Sequence, residues 1–422
     1  MQVLCESAVA EMDNEEVCLL RLLNPEVISN PYPLYRALRE QDSVHWDPYM
    51  HAWVVTSYPE VVTVLMQYSA DRAPDLDYLD RLELSFMKPF AAVMKQQMMF
   101  MDGRAHARLR GICSAAFTPR KVEEMRNVIA GVADELIDKF IASGRMDMIV
   151  DFANPLPAIV TAKLLGVPVE DHQQLHAWVL DIAEVLGNFQ HHPDRVAQIV
   201  KSLKDMQAYV AARMEEQRNS PTDGLIRDLM MAEVDGARLS DDEVIANAII
   251  TLIGGHETTT NLIASGFLTL LNTPGALDQL RSRPEIIGSA VEELLRFESP
   301  VQHTARIAPE ETQLGGKTIQ KGARVVAGLA AANRDPKRFP DPDHLNLERA
   351  DNRHLAFGWA AHFCFGAPLA RMEGQIAFNR LVNRLSNPVL RENTLQWRSN
   401  AGLRGLTSLN ISFDPGLPNA RA

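Results

Sequence analysis

Cysteine is scarce in this chain of 422 residues. It occurs only as Cys5, Cys18, Cys113 and Cys364, and no two are spaced C-x-x-C. That argues against a zinc site or a cysteine-held iron–sulfur cluster and fits a reducing compartment. The sequence has no apolar run of the roughly twenty residues that span a bilayer. Its N-terminus, Met1-Gln-Val-Leu-Cys-Glu, carries acid instead of the basic start of a signal peptide, so the expected location is cytoplasmic, with no membrane association. Positive charge is in deficit as well. A formal net charge of -12 disfavours a nucleic-acid partner. No internal repeat, low-complexity linker or second catalytic module is visible.

What the chain does contain is one thiol in an unusual setting. Cys364 stands in His354-Leu-Ala-Phe-Gly-Trp-Ala-Ala-His-Phe-Cys-Phe-Gly366, a loop rich in Phe and Trp, and an apolar helical run follows it. A lone thiol among Phe357, Trp359, Phe363 and Phe365 suggests a ligand to a flat apolar cofactor. The plainer reading is a buried structural cysteine, since free cysteine is among the most buried residue types.

Around this loop the pattern is mostly helical. Asn30–Arg39 reads as a helix entered through prolines, followed by two short strands over 43–48 and 52–56 and a helix over 58–66. Residues 68–100 read as an irregular Met- and Phe-rich segment, either core filler or a lid. A helix over 105–117, with Asp102 as its cap, carries His106 and Arg110 on one face and Arg104 and Arg108 on another. Helical spacing continues from Lys121 past Lys201. The longest helical pattern runs from Asp241 to Asn272 and holds Gly254-Gly-His-Glu-Thr-Thr-Thr260. Two interior glycines cost about 1 kcal/mol each against alanine. Keeping both suggests close approach of a ligand, although a packing kink is the alternative. Glu293 and Arg296 can pair on a helix over 284–297. Strands are expected at 304–308 and 324–327, with a Gly-Gly hairpin over 313–319 between them. A helix over 369–385 and short tail strands at 395–397 and 406–413 complete the reading.

Four separated motifs occur together: Gly254-Gly-His-Glu-Thr-Thr, Glu293-Leu-Leu-Arg296, Asn333-Arg-Asp-Pro336 leading to Arg349, and Phe357-Gly-Trp-Ala-Ala-His-Phe-Cys364-Phe-Gly366. In that order they resemble the bacterial cytochrome P450 family, from Asn30 to Phe413. The resemblance implies a mainly α fold with small β-sheets, a triangular helical prism. It implies a single domain over 23–422 behind a loose arm at 1–22, with haem b between the long helix and the cysteine loop. Cys364 would be the thiolate ligand, which pushes electron density onto iron. Gly254, Gly255, Phe357, Gly358, Gly366 and Ala370 would line the cofactor, and His106, Arg110, Arg306 and His362 would hold its propionates. Glu293, Arg296 and Arg349 would form a buried triad. Glu257 and Thr258 match the family's acid–alcohol pair, which delivers protons to bound dioxygen.

The activity implied is a monooxygenase acting on a small or medium apolar substrate with O2. Its electrons would come from a ferredoxin or flavodoxin-type donor and its reductase, which could dock on Arg104, Arg108 and Arg371. Ile250, Ile253, Val301, Gln302 and Leu403 are the expected substrate contacts, and the 186–192 connection is a second candidate lid. A peroxide-driven enzyme and a non-catalytic haem carrier or sensor are the alternatives. The loop departs from the usual Phe-Gly-x-Gly-x-His-x-Cys at Ala360. If that position needs positive φ, alanine costs on the order of 1 kcal/mol there.

Overall fold

The structure, a computed structural model, describes residues 17–81, 84–185, 193–391 and 395–417. The first sixteen residues of the expected arm and the 186–192 connection lie outside the described residues. The end of that arm is not loose. Leu19–Leu23 forms a 3-10 turn whose Leu19, Leu20 and Leu22 are buried, and the Leu19 N–H donates to Asp47 Oδ2 at 3.1 Å. Leucines at this density bury more apolar area than a tethered arm would leave exposed.

Among the described residues the longest helices are α1 (Tyr32–Asp42), α2 (Gly103–Ala116), α3 (Pro119–Asp138), α4 (Pro155–Leu165), α5 (His172–Ala183), α6 (Pro193–Asn219), α7 (Asp241–Asn272), α8 (Ile287–Phe297) and α9 (Ala367–Arg384). The long helix α7 touches α4, α5, α6, α8 and α9. It starts at a capping box: the Glu243 N–H donates to Ser240 Oγ at 3.2 Å, and the Ser240 N–H to Glu243 Oε2 at 2.9 Å. Gly266 lets α9 close on it, since a Cβ there would sit 2.6 Å from the Phe378 ring.

The strands form small sheets. β1 (Val44–Asp47), β2 (Ala52–Val55), β6 (Thr304–Ile307) and β9 (Arg324–Ala327) associate in the order β1-β2-β9-β6, with only β2 and β9 parallel. β3 (Arg145–Asp147), β10 (Ser386–Leu390) and β11 (Asn410–Asp414) make a second sheet. The pairs β4 (Glu233–Val234) with β5 (Ala237–Arg238) and β7 (Thr312–Leu314) with β8 (Lys317–Ile319) are hairpins. The β7–β8 turn uses Gly315 and Gly316, both at positive φ, as a two-residue hairpin loop demands. In the tail only β11 is a strand; Trp397 and Leu406 meet in a single bridge.

Segment 68–100 departs further from its reading. Short helices occupy Leu76–Arg81, Ser85–Met87, Lys88–Met94 and Met98–Phe100. Its end is fastened to α7: Gln97 Nε2 donates to the Ala246 carbonyl at 3.1 Å, and Asn247 binds the Met98 N–H and the Gln96 carbonyl. The most apolar helical stretch, Met148–Leu165, has 67% of its residues buried inside the fold.

Helix α8 supplies the brace. Glu293 and Arg296 are fully buried and joined by two hydrogen bonds of 2.7 and 2.8 Å. Arg349 Nε adds a third ionic contact to Glu293 at 3.1 Å. The Asn346 N–H (2.9 Å) and Asn352 Nδ2 (3.2 Å) complete its shell. Removing one member of a buried pair strands the other charge. Glu293→Ala should therefore lose about 3–5 kcal/mol of stability in a denaturant titration. A loss below about 1 kcal/mol would show that the brace is not structural.

Candidate functional site

The cysteine loop closes on itself before α9 begins. The Cys364 N–H donates to the Phe357 carbonyl at 2.8 Å, and the Gly358 N–H to the Leu355 carbonyl at 2.9 Å. Gly358 and Ala360 both sit at positive φ, 71° and 55°. The irregular residue Ala360 thus holds the backbone angle for which glycine is suited. Phe357 packs against Phe363, and the Arg371 guanidinium lies 4.7 Å from the Phe357 ring centroid. The Cys364 thiol is pushed up by burial, against the pull of the Gly366 and Ala367 N–H groups and of Arg110 and Arg371. A helix N-terminus ordinarily lowers a neighbouring thiol, and here burial outweighs it. Gly366 faces open space, and Ala370 is half-buried one turn into α9.

Beside this loop lies a cluster of basic side chains. His106 is buried, and its ring lies 4.2 Å from that of His362. Arg306, buried on β6, bonds only Thr304 Oγ1 and the Ala305 carbonyl. Burial lowers its guanidinium to about 10, with Asp102 opposing the shift. Arg110 reaches the Phe363 carbonyl at 2.7 Å and so ties α2 to the cysteine loop.

Asp102 makes no cap bond to α2, contrary to expectation. Its Oδ2 instead accepts from Ser69 Oγ (2.5 Å) and the N–H groups of Ala70 and Asp71, while Oδ1 lies 3.2 Å from His362 Nε2. Burial raises its carboxyl, but hydrogen bonds from Ser69, Asp71 and His362 outweigh that and hold it below the usual range. His362 is consequently already partnered within the protein. Burial takes its imidazole down to about 4, with His106 and Arg306 adding to the effect and Asp102 opposing it.

On α7 the two glycines face different ways. Nothing lies within 4 Å of a Cβ built on Gly254, whereas one on Gly255 would meet Thr161 Oγ1 of α4 at 3.2 Å. Gly255 therefore serves helix packing, and only Gly254 opens onto free space. Glu257 is buried. Its Oε1 accepts from Arg398 Nη1 at 2.7 Å and from Asn261 Nδ2 at 3.4 Å, while Oε2 has no protein partner. The Thr258 hydroxyl donates to the Gly254 carbonyl at 2.6 Å. Arg398 escaped the sequence reading because nothing local marks it; it arrives from the tail, far along the chain.

The expected substrate contacts divide. Val301 and Leu403 meet in a β-bridge, Ile250 shares the Gly254 face of α7, and Ile253 is buried. Gln302 does not belong with them. Its side chain binds Tyr35 Oη at 2.8 Å and the Ser299 carbonyl at 2.6 Å, which uses it as a strut. The docking patch is also reduced. Arg108 is ion-paired with Glu243, and Arg371 binds Glu292 through two contacts of 2.7 and 2.8 Å. Arg104 remains exposed and carries no ion pair among the described residues.

The family profile "Cytochrome P450" matches residues 42–400, and the chain belongs to that family. It is 35% identical to the polyketide biosynthesis cytochrome P450 PksS of Bacillus subtilis, over 91% of this chain and 96% of that one. It is 36% identical to the vitamin D(3) 25-hydroxylase of Pseudonocardia autotrophica, over 92% and 94%. Among solved structures, P450BioI in complex with an acyl carrier protein ligated to hexadec-9Z-enoic acid superposes with a TM-score of 0.86 at 34% identity, covering 92% of this chain and 99% of that one. The chain is thus a cytochrome P450 monooxygenase with the P450 fold, and the family implies haem ligated by a cysteine thiolate.

The residues present fit that group. His106 Nε2 and Arg306 Nε are buried without partners, as donors awaiting an anion would be, and Gly254 leaves space on the opposite face. An L-residue in the left-handed region costs about 1–2 kcal/mol, part of which glycine gives back as unfolded-state entropy. Ala360→Gly should accordingly stabilise the protein by about 0.5 kcal/mol in denaturant midpoint measurements. A net loss would mean that Ala360 is held by packing of its methyl group.

Proposed function

We propose that Cys364 supplies the axial thiolate to haem b and that the enzyme inserts one oxygen atom of O2 into a small or medium apolar organic substrate. Electrons come from a separate ferredoxin or flavodoxin-type donor with its reductase. We place the enzyme in the cytoplasm and in secondary or specialised metabolism. The observation that carries the reading is the convergence of one closed thiol loop, a basic cluster with orphaned buried donors, and a buried carboxylate beside a hydroxyl on the facing helix. The relatives support an apolar substrate: their names speak of polyketide biosynthesis, of vitamin D(3) and of a fatty acyl chain on a carrier protein.

When bound, haem supplies dioxygen activation through its thiolate-ligated iron. The protein's part is to hold the cofactor, exclude water and move protons. Arg110 and Arg306 would neutralise its carboxylates, His106 would offer them a hydrogen bond, and Asp102 orients His362 beside them. Thr258 spends its only hydroxyl proton on the Gly254 carbonyl. Its free lone pairs then accept from a water and present that water's second hydrogen to the cavity. Glu257, anchored by Arg398 through Oε1, keeps Oε2 free to take up and pass on a proton.

Two measurements test this. The reduced carbon monoxide complex should show a thiolate-type Soret band, and a histidine-type band in freshly folded protein would end the assignment of Cys364. Thr258→Ala should retain haem but convert less NAD(P)H to product and release more hydrogen peroxide. Unchanged coupling would remove Thr258 from proton delivery.

A further inference from the structure

Arg72 lies just beyond the Ser69–Ile307 bridge, where the chain leaves the first sheet. Its guanidinium sits 4.6 Å from the Phe100 ring centroid, and Nη1 donates to the Ala70 carbonyl at 3.1 Å. Among the described residues it forms no ion pair. Asp102 is the negative charge acting on it, but both oxygens of Asp102 are already committed, to the 69–71 segment and to His362. Arg306, buried on β6, acts on the half-buried Arg72 as a second cation, and it too lacks a carboxylate partner among the described residues. Burial, then repulsion from Arg306, lowers the Arg72 guanidinium to about 9.

Two guanidiniums, Arg72 and Arg306, act on a single carboxylate, Asp102, and Arg110 acts on His106 beside them, so positive charge is in surplus here. Burying unpaired charge is costly unless a counter-ion completes it. A ligand with two carboxylates at one edge, such as haem b, removes the surplus. Arg72 also stands on the cluster by construction: the bridge that holds Ser69 on β6 sets Arg72 near Arg306, and Phe100 limits where its planar head can point.

We propose that Arg72 is a third guanidinium partner of the cofactor's carboxylates, alongside Arg110 and Arg306. This rests on the haem-binding reading above. The competing source of a carboxylate is an acidic substrate, and the experiment separates the two.

Two variants are compared with wild type as ferric holoproteins: Arg72→Met, which keeps the stem over Phe100, and Arg72→Lys, which keeps charge without the planar fork. Haem transfer to excess apomyoglobin should be about tenfold faster or more for Arg72→Met and intermediate for Arg72→Lys. The Soret band of the reduced carbon monoxide complex should stay thiolate-type in both, which keeps the haem-thiolate reading separately testable. Titration with myristic acid and with its methyl ester, read by the ferric Soret shift, should give the same acid-to-ester preference in all three proteins. Wild-type transfer rates in both variants would overturn the proposal. So would a lost acid preference with unchanged transfer, which would assign Arg72 to substrate. If Arg72→Met does not accumulate as holoprotein, the transfer rate of Arg72→Lys decides in the same sense.

Discussion

The fully buried pair of Glu293 and Arg296 is the constraint from which the cysteine side of the molecule hangs. Two opposite charges in a dry interior are not stabilising by themselves, because desolvation can exceed their attraction. Here both groups have further partners. Glu293 collects Arg349, the Asn346 N–H and Asn352, while Arg296 Nη1 binds the carbonyls of Asn333 and Pro342 at 2.9 Å each. Asn333 in turn binds Ser299 Oγ and the Leu355 N–H, and Leu355 accepts from Gly358 at the root of the cysteine loop. An ion pair on one helix thereby fixes the height and direction of a loop some seventy positions later.

The basic cluster on the other side of that loop is built on the opposite principle. The brace satisfies each charge within the protein, whereas the cluster leaves donors unspent. Arg306 Nε and His106 Nε2 have no partner, and Arg72 has only a carbonyl and an aromatic face. Unsatisfied buried polar groups cost stability and persist where a ligand completes them. Asp102 prevents the cluster from repelling itself apart. Its carboxylate joins the 69–71 segment to His362 and brings the first sheet, α2 and the cysteine loop to one point.

Periodic and local features were legible in the sequence. The long helix and the Glu293–Arg296 pair follow from spacing, whereas Arg349 as their partner and Ala360 as the irregular position came from the resemblance to the family's motifs. Long-range partner choice was not. Asp102 looks like a cap because it precedes a helix, yet three donors from the 69–71 segment outbid the cap. Gly255 looks like its neighbour Gly254, but helical rotation turns it onto Thr161. Arg108 and Arg371 look like surface charge until Glu243 and Glu292 arrive from other helices. Arg398 and Gln302 take their roles from distant residues, Glu257 and Tyr35.

The distal helix shows how far side chains alone can carry a proton. Thr258 has given its hydroxyl proton to a helix carbonyl, and Glu257 has given one oxygen to Arg398. What remains facing the interior is acceptor capacity: the lone pairs of Thr258 and the unpartnered Oε2 of Glu257. Two acceptors cannot pass a proton to each other without a donor between them. Water would be that donor, since buried sites with several unmet polar atoms hold ordered water. Proton delivery in the proposed chemistry therefore depends on a water held by Thr258 and replenished past Glu257. The Arg398 contact sets where that exchange can occur, because a carboxylate held through Oε1 at 2.7 Å has only Oε2 left to meet the water.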